Sequence, residues 1–400
     1  MAHSHQENLH VGKFQLSNGL RTLFLALMAL GLVTVAYGYL THQMERIWTS
    51  YLVTYFYFIC LSLGGLFWVS LNNLTKSGWS VSIRRLAEAT TAFLPFLIIG
   101  GIILLAGLKV LYPWARPEVL EAEPVIAAKV AYLNWKFFAL RILVFGIGVL
   151  IFRHIIVGNS IKQDTSGDQS LTDSNVGWSI GFIPFFAIFF SLFSVDLLMS
   201  LMPTWYSTIY GIYAFSGMFQ SFLAFFAIVI VIFKKSSFIK GYITEEHQHD
   251  VVKYLKGFTV FWAYIAFSQF MLIWYANIPE ETEFFLMRSQ GGWTGVSMSL
   301  LFLRFIVPFI VLLPRWVKRT DTAVIAVSIL VLIMQYVDIF WLVYPNFFEG
   351  NLVFGIPELG MMIGFTGLFL WTFTHFLSKN SIVAVKDPRM HEAVAHHVMY

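Results

Sequence analysis

Ten apolar runs, each long enough to cross a bilayer, dominate the 400-residue sequence. They lie near 20–40, 50–71, 89–112, 135–157, 177–201, 207–234, 256–276, 292–314, 322–344 and 353–377. A helix needs about 20 apolar residues to cross the hydrocarbon core, whereas barrel strands alternate over roughly ten. The runs therefore predict an all-α integral membrane protein with ten transmembrane helices. Hydrophobic residues make up 58% and charged residues 12%, against about 25% charged in soluble domains. A water-soluble globule this apolar could not cover its surface with polar groups. The same apolarity excludes a disordered chain, the single cysteine excludes a disulfide scaffold, and the net charge of +4 is no nucleic-acid signal because it comes from dispersed basic residues.

The runs divide the chain into an N-terminal tail 1–19, a membrane domain 20–377 and a C-terminal tail 378–400. The first run is too long for a signal peptide and follows a mostly polar stretch, so the N-terminus is expected to be retained. Of 26 Lys and Arg, 18 fall on the side of the N-terminal tail. Five (Arg46, Arg116, Lys129, Lys136, Arg288) fall on the other, and three (Lys109, Arg141, Arg304) lie within runs. The basic side is the cytoplasmic one, which places both tails there. The connections are short. Segment 158–176 reads as a polar, mobile loop, and 235–255 as a basic loop carrying His247 and His249.

Ionisable residues inside a membrane are costly and default to functional sites. Asp196, Asp338, Glu358 and Arg141 fall in the outer third of their runs and Arg304 near mid-depth. Spacings of three and four put Tyr210, Tyr213, Gly217 and Gln220 on one face of the sixth run. The same spacings join Tyr264, Ser268, Met271 and Tyr275 in the seventh, with Gln269 beside them, and Gln335 with Asp338 in the ninth. Such stripes should face the protein interior or a water-filled cavity. Two readings stand: a proton-conducting polar path, or ion pairs such as Asp338 with Arg304 and Asp196 with Arg141 that only fix packing.

Redox cofactors find few ligands here. Cys60 is the single cysteine, and no C-x-x-C-H is present, so neither an iron–sulfur cluster nor a c-type haem is expected in this chain. Only His154 and His375 fall in runs, so at most one bis-His haem b could be ligated. His3, His5, His10, His391, His396 and His397 read, like the loop histidines, as solvated residues rather than metal ligands. No phosphate loop, dinucleotide fingerprint or H-E-x-x-H motif occurs.

Ser194–Gly217 reads SVDLLMSLMPTWYSTIYGIYAFSG. It forms a tight outer hairpin in which Pro203 stops one helix, Trp205 and Tyr206 should anchor at the interface, and Ser207 or Thr208 should cap the next helix. This run, in a ten-span chain of this length, resembles the membrane subunits of bacterial alternative complex III, a quinol:cytochrome c oxidoreductase. The likeness is to the ActF type, within the wider NrfD and polysulfide-reductase membrane-subunit group. Span count and layout carry it over nearly the whole chain, and the hairpin is its sharpest motif. The resemblance implies two four-helix bundles, spans two to five and six to nine, flanked by spans one and ten. It also implies a bacterial inner membrane location and a set of partners: a sister ten-span quinol-binding subunit, an iron–sulfur subunit, multihaem cytochrome c subunits and a terminal oxidase. Menaquinol, haem c and iron–sulfur clusters would then belong to the complex, and this chain would support quinol oxidation and carry protons. A secondary transporter with a buried polar pathway and a purely structural lipid-embedded anchor are the alternatives.

Overall fold

Hydrocarbon offers no partner for a bare N–H or C=O, so each apolar run must satisfy its backbone internally. The computed structural model describes residues 11, 12 and 14–397 and contains no strand among them. Lys13 and the tail histidines His3, His5 and His10 lie outside the described residues. Among the described residues, ten helices are long and apolar enough to cross a membrane: α1 (Asn18–Leu40), α2 (Met44–Leu74), α3 (Val81–Ala106), α4 (Trp135–Ser166), α5 (Ser170–Leu201), α6 (Tyr210–Lys234), α7 (Glu245–Ala276), α8 (Trp293–Val311), α9 (Asp321–Asn346) and α10 (Ile356–Lys379). The chain is an all-helical, multi-pass membrane protein.

Helix α2 is the pillar of the molecule, and 94% of its apolar window is buried. It packs against α3, α5, α6, α9 and α10. Its Tyr51 and Tyr55 hydroxyls donate to the carbonyls of Gly100 and Leu97 in α3, at 2.8 and 2.5 Å. Helix α3 tightens into a 3₁₀ turn at Thr91–Phe93, just ahead of Pro95, which has no N–H to continue the ladder. Contacts run from α2 to α3, α3 to α4, α4 to α5 and α5 back to α2, and likewise from α6 through α7, α8 and α9 back to α6. Helix α1 lies along α10. A Cβ on Gly364 would sit 2.7 Å from the Cα of Gly31, so small residues are what allow these two backbones to approach.

Both described termini lie at one end of the molecule. Phe14 packs 6.1 Å from Phe233, near the end of α6, and Asp387 pairs with Arg84 of α3 at 2.7 Å. We call this the tail end and the other the hairpin end. The described part of 378–400 is folded down rather than loose, with Ile382, Val383, Ala384 and Ala393 buried.

Four expectations are corrected here. Segment 158–176 is not a loop, because α4 runs to Ser166 and α5 starts at Ser170, with Gly167 (φ +67°) turning the chain. Both helices continue past their apolar runs into polar sequence. His247 and His249 are buried, and His247 Nε2 lies 2.9 Å from Ser82 Oγ. The reason is that α7 starts at Glu245, in the middle of the supposed loop, and the C-terminal stretch covers it, with His396 2.7 Å from Asp250. In the hairpin, Trp205 is no interfacial anchor. It stacks on Phe284 at 4.1 Å and donates to the Glu281 carbonyl at 3.1 Å, leaving Tyr206 exposed. Neither Ser207 nor Thr208 caps α6, whose N-cap position is Ile209.

Candidate functional site

Four helices meet around one guanidinium. Pro308 follows Arg304 by four residues, so it cannot donate to the Arg304 carbonyl, and its ring crowds that oxygen. Over Leu300–Ile306 the ladder of α8 widens to a π-helix, a distortion common at functional sites. This turn places Arg304 fully inside the α6–α9 group.

The Arg304 guanidinium is satisfied on every side. Nη1 lies 2.8 Å from Asp338 Oδ2, Nε donates to Gln220 Oε1 at 3.2 Å, and Nη2 donates to Gln335 Oε1. Its plane sits 4.2 Å over the Trp262 ring. The other Asp338 oxygen accepts from the Tyr213 hydroxyl. Gln220 passes its amide N–H to Thr259 Oγ1 at 3.1 Å. A side chain at Gly217 would meet Gln335 and Arg304 at 2.8 and 2.9 Å, so the empty position makes room for the cluster. Tyr210 is buried on the hairpin side, with its ring 6.4 Å from that of Tyr213.

Two further clusters hold the remaining carboxylates. Arg141 of α4 grips Asp196 of α5 through Nε and Nη2 at 2.6 and 2.9 Å, between the rings of Tyr132 and Phe137. Burial, and then Asp196, push the Tyr132 hydroxyl up to about 12. Glu358 of α10 accepts from Arg46 of α2 at 3.1 and 2.6 Å, from Tyr344 at 2.9 Å and from the Gly355 N–H at 2.7 Å. The expected single set is thus three clusters, and Glu358 belongs to neither of the paired arginines.

The stripe expected inside α7 is corrected. Tyr264 is 65% exposed, Tyr275 is exposed, and Ser268 is half-buried. The inward face of α7 is Thr259, Trp262, Ile265, Gln269 and Ile273. Tyr264 follows Trp262 by two residues, about 200° around the helix, so only Gln269 of that group points inward. His154 and His375 lie exposed on α4 and α10.

Several partners were out of reach of the sequence reading. Trp262, Thr259, Arg46 and Tyr344 carry no signal of facing. Glu358 did carry one, because an acidic residue in the first turn ahead of an apolar run can reach back to a backbone N–H before the helix, as Glu358 does to Gly355. Arg288, counted only as a surface charge, is fully buried. It donates to the carbonyls of Trp341, Leu342 and Phe284 at 3.0, 2.8 and 2.8 Å. Burial pulls its pKa down to about 9, so it stays charged at neutrality, where it complements the negative end of α9.

Chemically, the Arg304 cluster holds a carboxylate, a tyrosine and two glutamines in one buried group. Such groups bind water and exchange protons, and the same geometry is a satisfied ion pair. Among the described residues no group of three or more His, Cys, Asp or Glu is placed to hold a metal ion. No protein-family model matches this chain, and no curated protein matches it either.

Proposed function

We propose that the chain is an ActF-type membrane subunit of a bacterial quinol:cytochrome c oxidoreductase, carrying no redox centre itself and moving protons through the α6–α9 group. The observation that carries this reading is the Arg304–Asp338–Tyr213 cluster, built from four helices around a π-helical turn. The two closed sets of helix contacts support two four-helix bundles, with α1 and α10 beside them. The proposed partners are a sister ten-span quinol-binding subunit, an iron–sulfur protein and multihaem cytochrome c, in the bacterial cytoplasmic membrane. A transporter would more naturally break matching helices of two repeats. Here the breaks fall in α3, second of its set, and in α8, third of its set.

The test is Asp338→Asn in the assembled complex. An amide keeps the shape and the acceptor oxygen but cannot hand on a proton. Asn leaves Arg304 without its counter-charge, so the yield of complex should fall. Activity is read per assembled complex, where quinol turnover or its proton release should fall tenfold or more. Full turnover with full proton release would remove the relay.

A further inference from the structure

Two buried arginines address successive turns of α9, and they differ in how their charge is met. Arg304 is neutralised by Asp338 at 2.8 Å. Arg288, in the connection between α7 and α8, is also fully buried. Its three guanidinium nitrogens donate to the carbonyls of Trp341, Phe284 and Leu342, and none of its contacts among the described residues is a carboxylate. A helix end offers about half a charge, so α9 compensates this cation only in part. Burying such a charge is costly, whereas satisfying the last carbonyls of a helix requires only donors, which water or a neutral side chain can supply.

Helix geometry places Arg288 relative to Asp338. The carbonyls of Trp341 and Leu342 follow Asp338 by three and four residues, about 4.5–6 Å toward the hairpin end. On α6, Tyr210 precedes Tyr213 by three residues, in the same direction. The charges of Arg288 and Asp338 both reach Tyr210. A proton leaving Asp338 through Tyr213 toward the hairpin end therefore arrives at Tyr210 in the field of Arg288.

Rings close the same level. The guanidinium lies 3.6 Å over the Phe284 ring and 5.1 Å over that of Trp341. Trp205 stacks on Phe284 at 4.1 Å and lies 6.1 Å from the Tyr210 ring. All four aromatic residues are buried. Where water is excluded the field of a fixed charge is weakly screened, and an arginine at such a constriction repels protons and other cations.

We propose that Arg288 is an electrostatic barrier that keeps the hairpin end of the Asp338–Tyr213 path closed to passive proton flow. This role rests on the proton path proposed above and adds the residue that stops the path from being a leak.

The experiment uses the assembled complex in liposomes, without quinol or electron acceptor. A potassium gradient with valinomycin imposes a membrane potential, and an internal pH dye follows proton entry per assembled complex. Wild type and Arg288→Lys, which keeps the charge, should stay tight. Arg288→Gln and Arg288→Met, both neutral, should raise the proton conductance about tenfold or more. Adding Tyr213→Phe to Arg288→Gln removes the hydroxyl on Asp338 without touching its ion pair, and should return the conductance to the wild-type level. A merely structural opening would not respond to that hydroxyl. Tight neutral variants, an equal leak in Arg288→Lys, a leak that survives Tyr213→Phe, or failure of both neutral variants to assemble would each overturn the proposal. Quinol-driven proton release in Asp338→Asn tells the two readings apart. Full release there removes the path and the barrier together, whereas lost release there with tight neutral variants removes the barrier alone.

Discussion

At the scale of single residues, the Arg304–Asp338 pair decides between the relay and the structural readings. Both groups are buried, so removing one leaves the other as an uncompensated charge, at about 3–5 kcal/mol. Arg304→Gln should therefore fail to accumulate, or should melt many degrees lower. The double variant Arg304→Gln/Asp338→Asn, neutral on both sides, should recover most of that loss. Thermal unfolding of the four members of the cycle measures the coupling, and a double variant no better than Arg304→Gln would show that the charges are not what the pair contributes. Matching arginines and aspartates by depth made both Arg304–Asp338 and Arg141–Asp196 legible in the sequence. Arg46 and Trp262 were not, because depth says nothing about the face a side chain takes. Arg46 looked like one outer charge among five, yet it holds the carboxylate that caps α10.

At the scale of elements, the extents of the helices were largely legible and their rotations were not. Continuous apolar runs mark what crosses the bilayer, but they hide where a polar helix continues beyond it, as at α4, α5 and the start of α7. Helix α7 shows the second difficulty. Its hydroxyl-bearing residues keep helical spacing, yet Trp262, Ile265 and Ile273 on another face win the interior. In an apolar environment a tyrosine on the outer surface carries little penalty beyond its hydroxyl, so spacing alone cannot choose between faces. Helix α8 adds a break that only the proline hinted at. Pro308→Ala restores an N–H that can bond the Arg304 carbonyl, which favours a regular helix over the π turn. Regularising the turn rotates Arg304 away from Asp338. The variant should lower the thermal midpoint, and its effect should not add to that of Arg304→Gln, because both act through the same guanidinium. Additive losses would mean that the π turn matters for something other than placing Arg304.

At the scale of the whole molecule, the open question is which end faces which compartment. The fold puts both described termini at one end through Phe14–Phe233, Arg84–Asp387 and His396–Asp250. The same end carries most of the basic residues, and the few at the hairpin end are largely engaged: Arg46 with Glu358, Arg288 with helix carbonyls, and Lys129 with the Pro203 carbonyl at 2.5 Å. Tail-end basic residues are engaged as well, among them Arg84 with Asp387, Arg85 with Asp164 and Arg319 with Glu246, so the orientation rests on the sequence count of basic residues. The tail end is accordingly expected in the cytoplasm. The chain supplies its own low background for the test, because Cys60 is buried. Glu121 lies exposed in the 113–134 connection at the hairpin end, and Gln169 lies exposed in the turn between α4 and α5 at the tail end. In intact cells a membrane-impermeant maleimide should label Glu121→Cys and leave Gln169→Cys untouched. After permeabilisation both should react, while wild type stays unlabelled in either condition. Labelling of Gln169→Cys in intact cells, with Glu121→Cys protected, would invert the molecule.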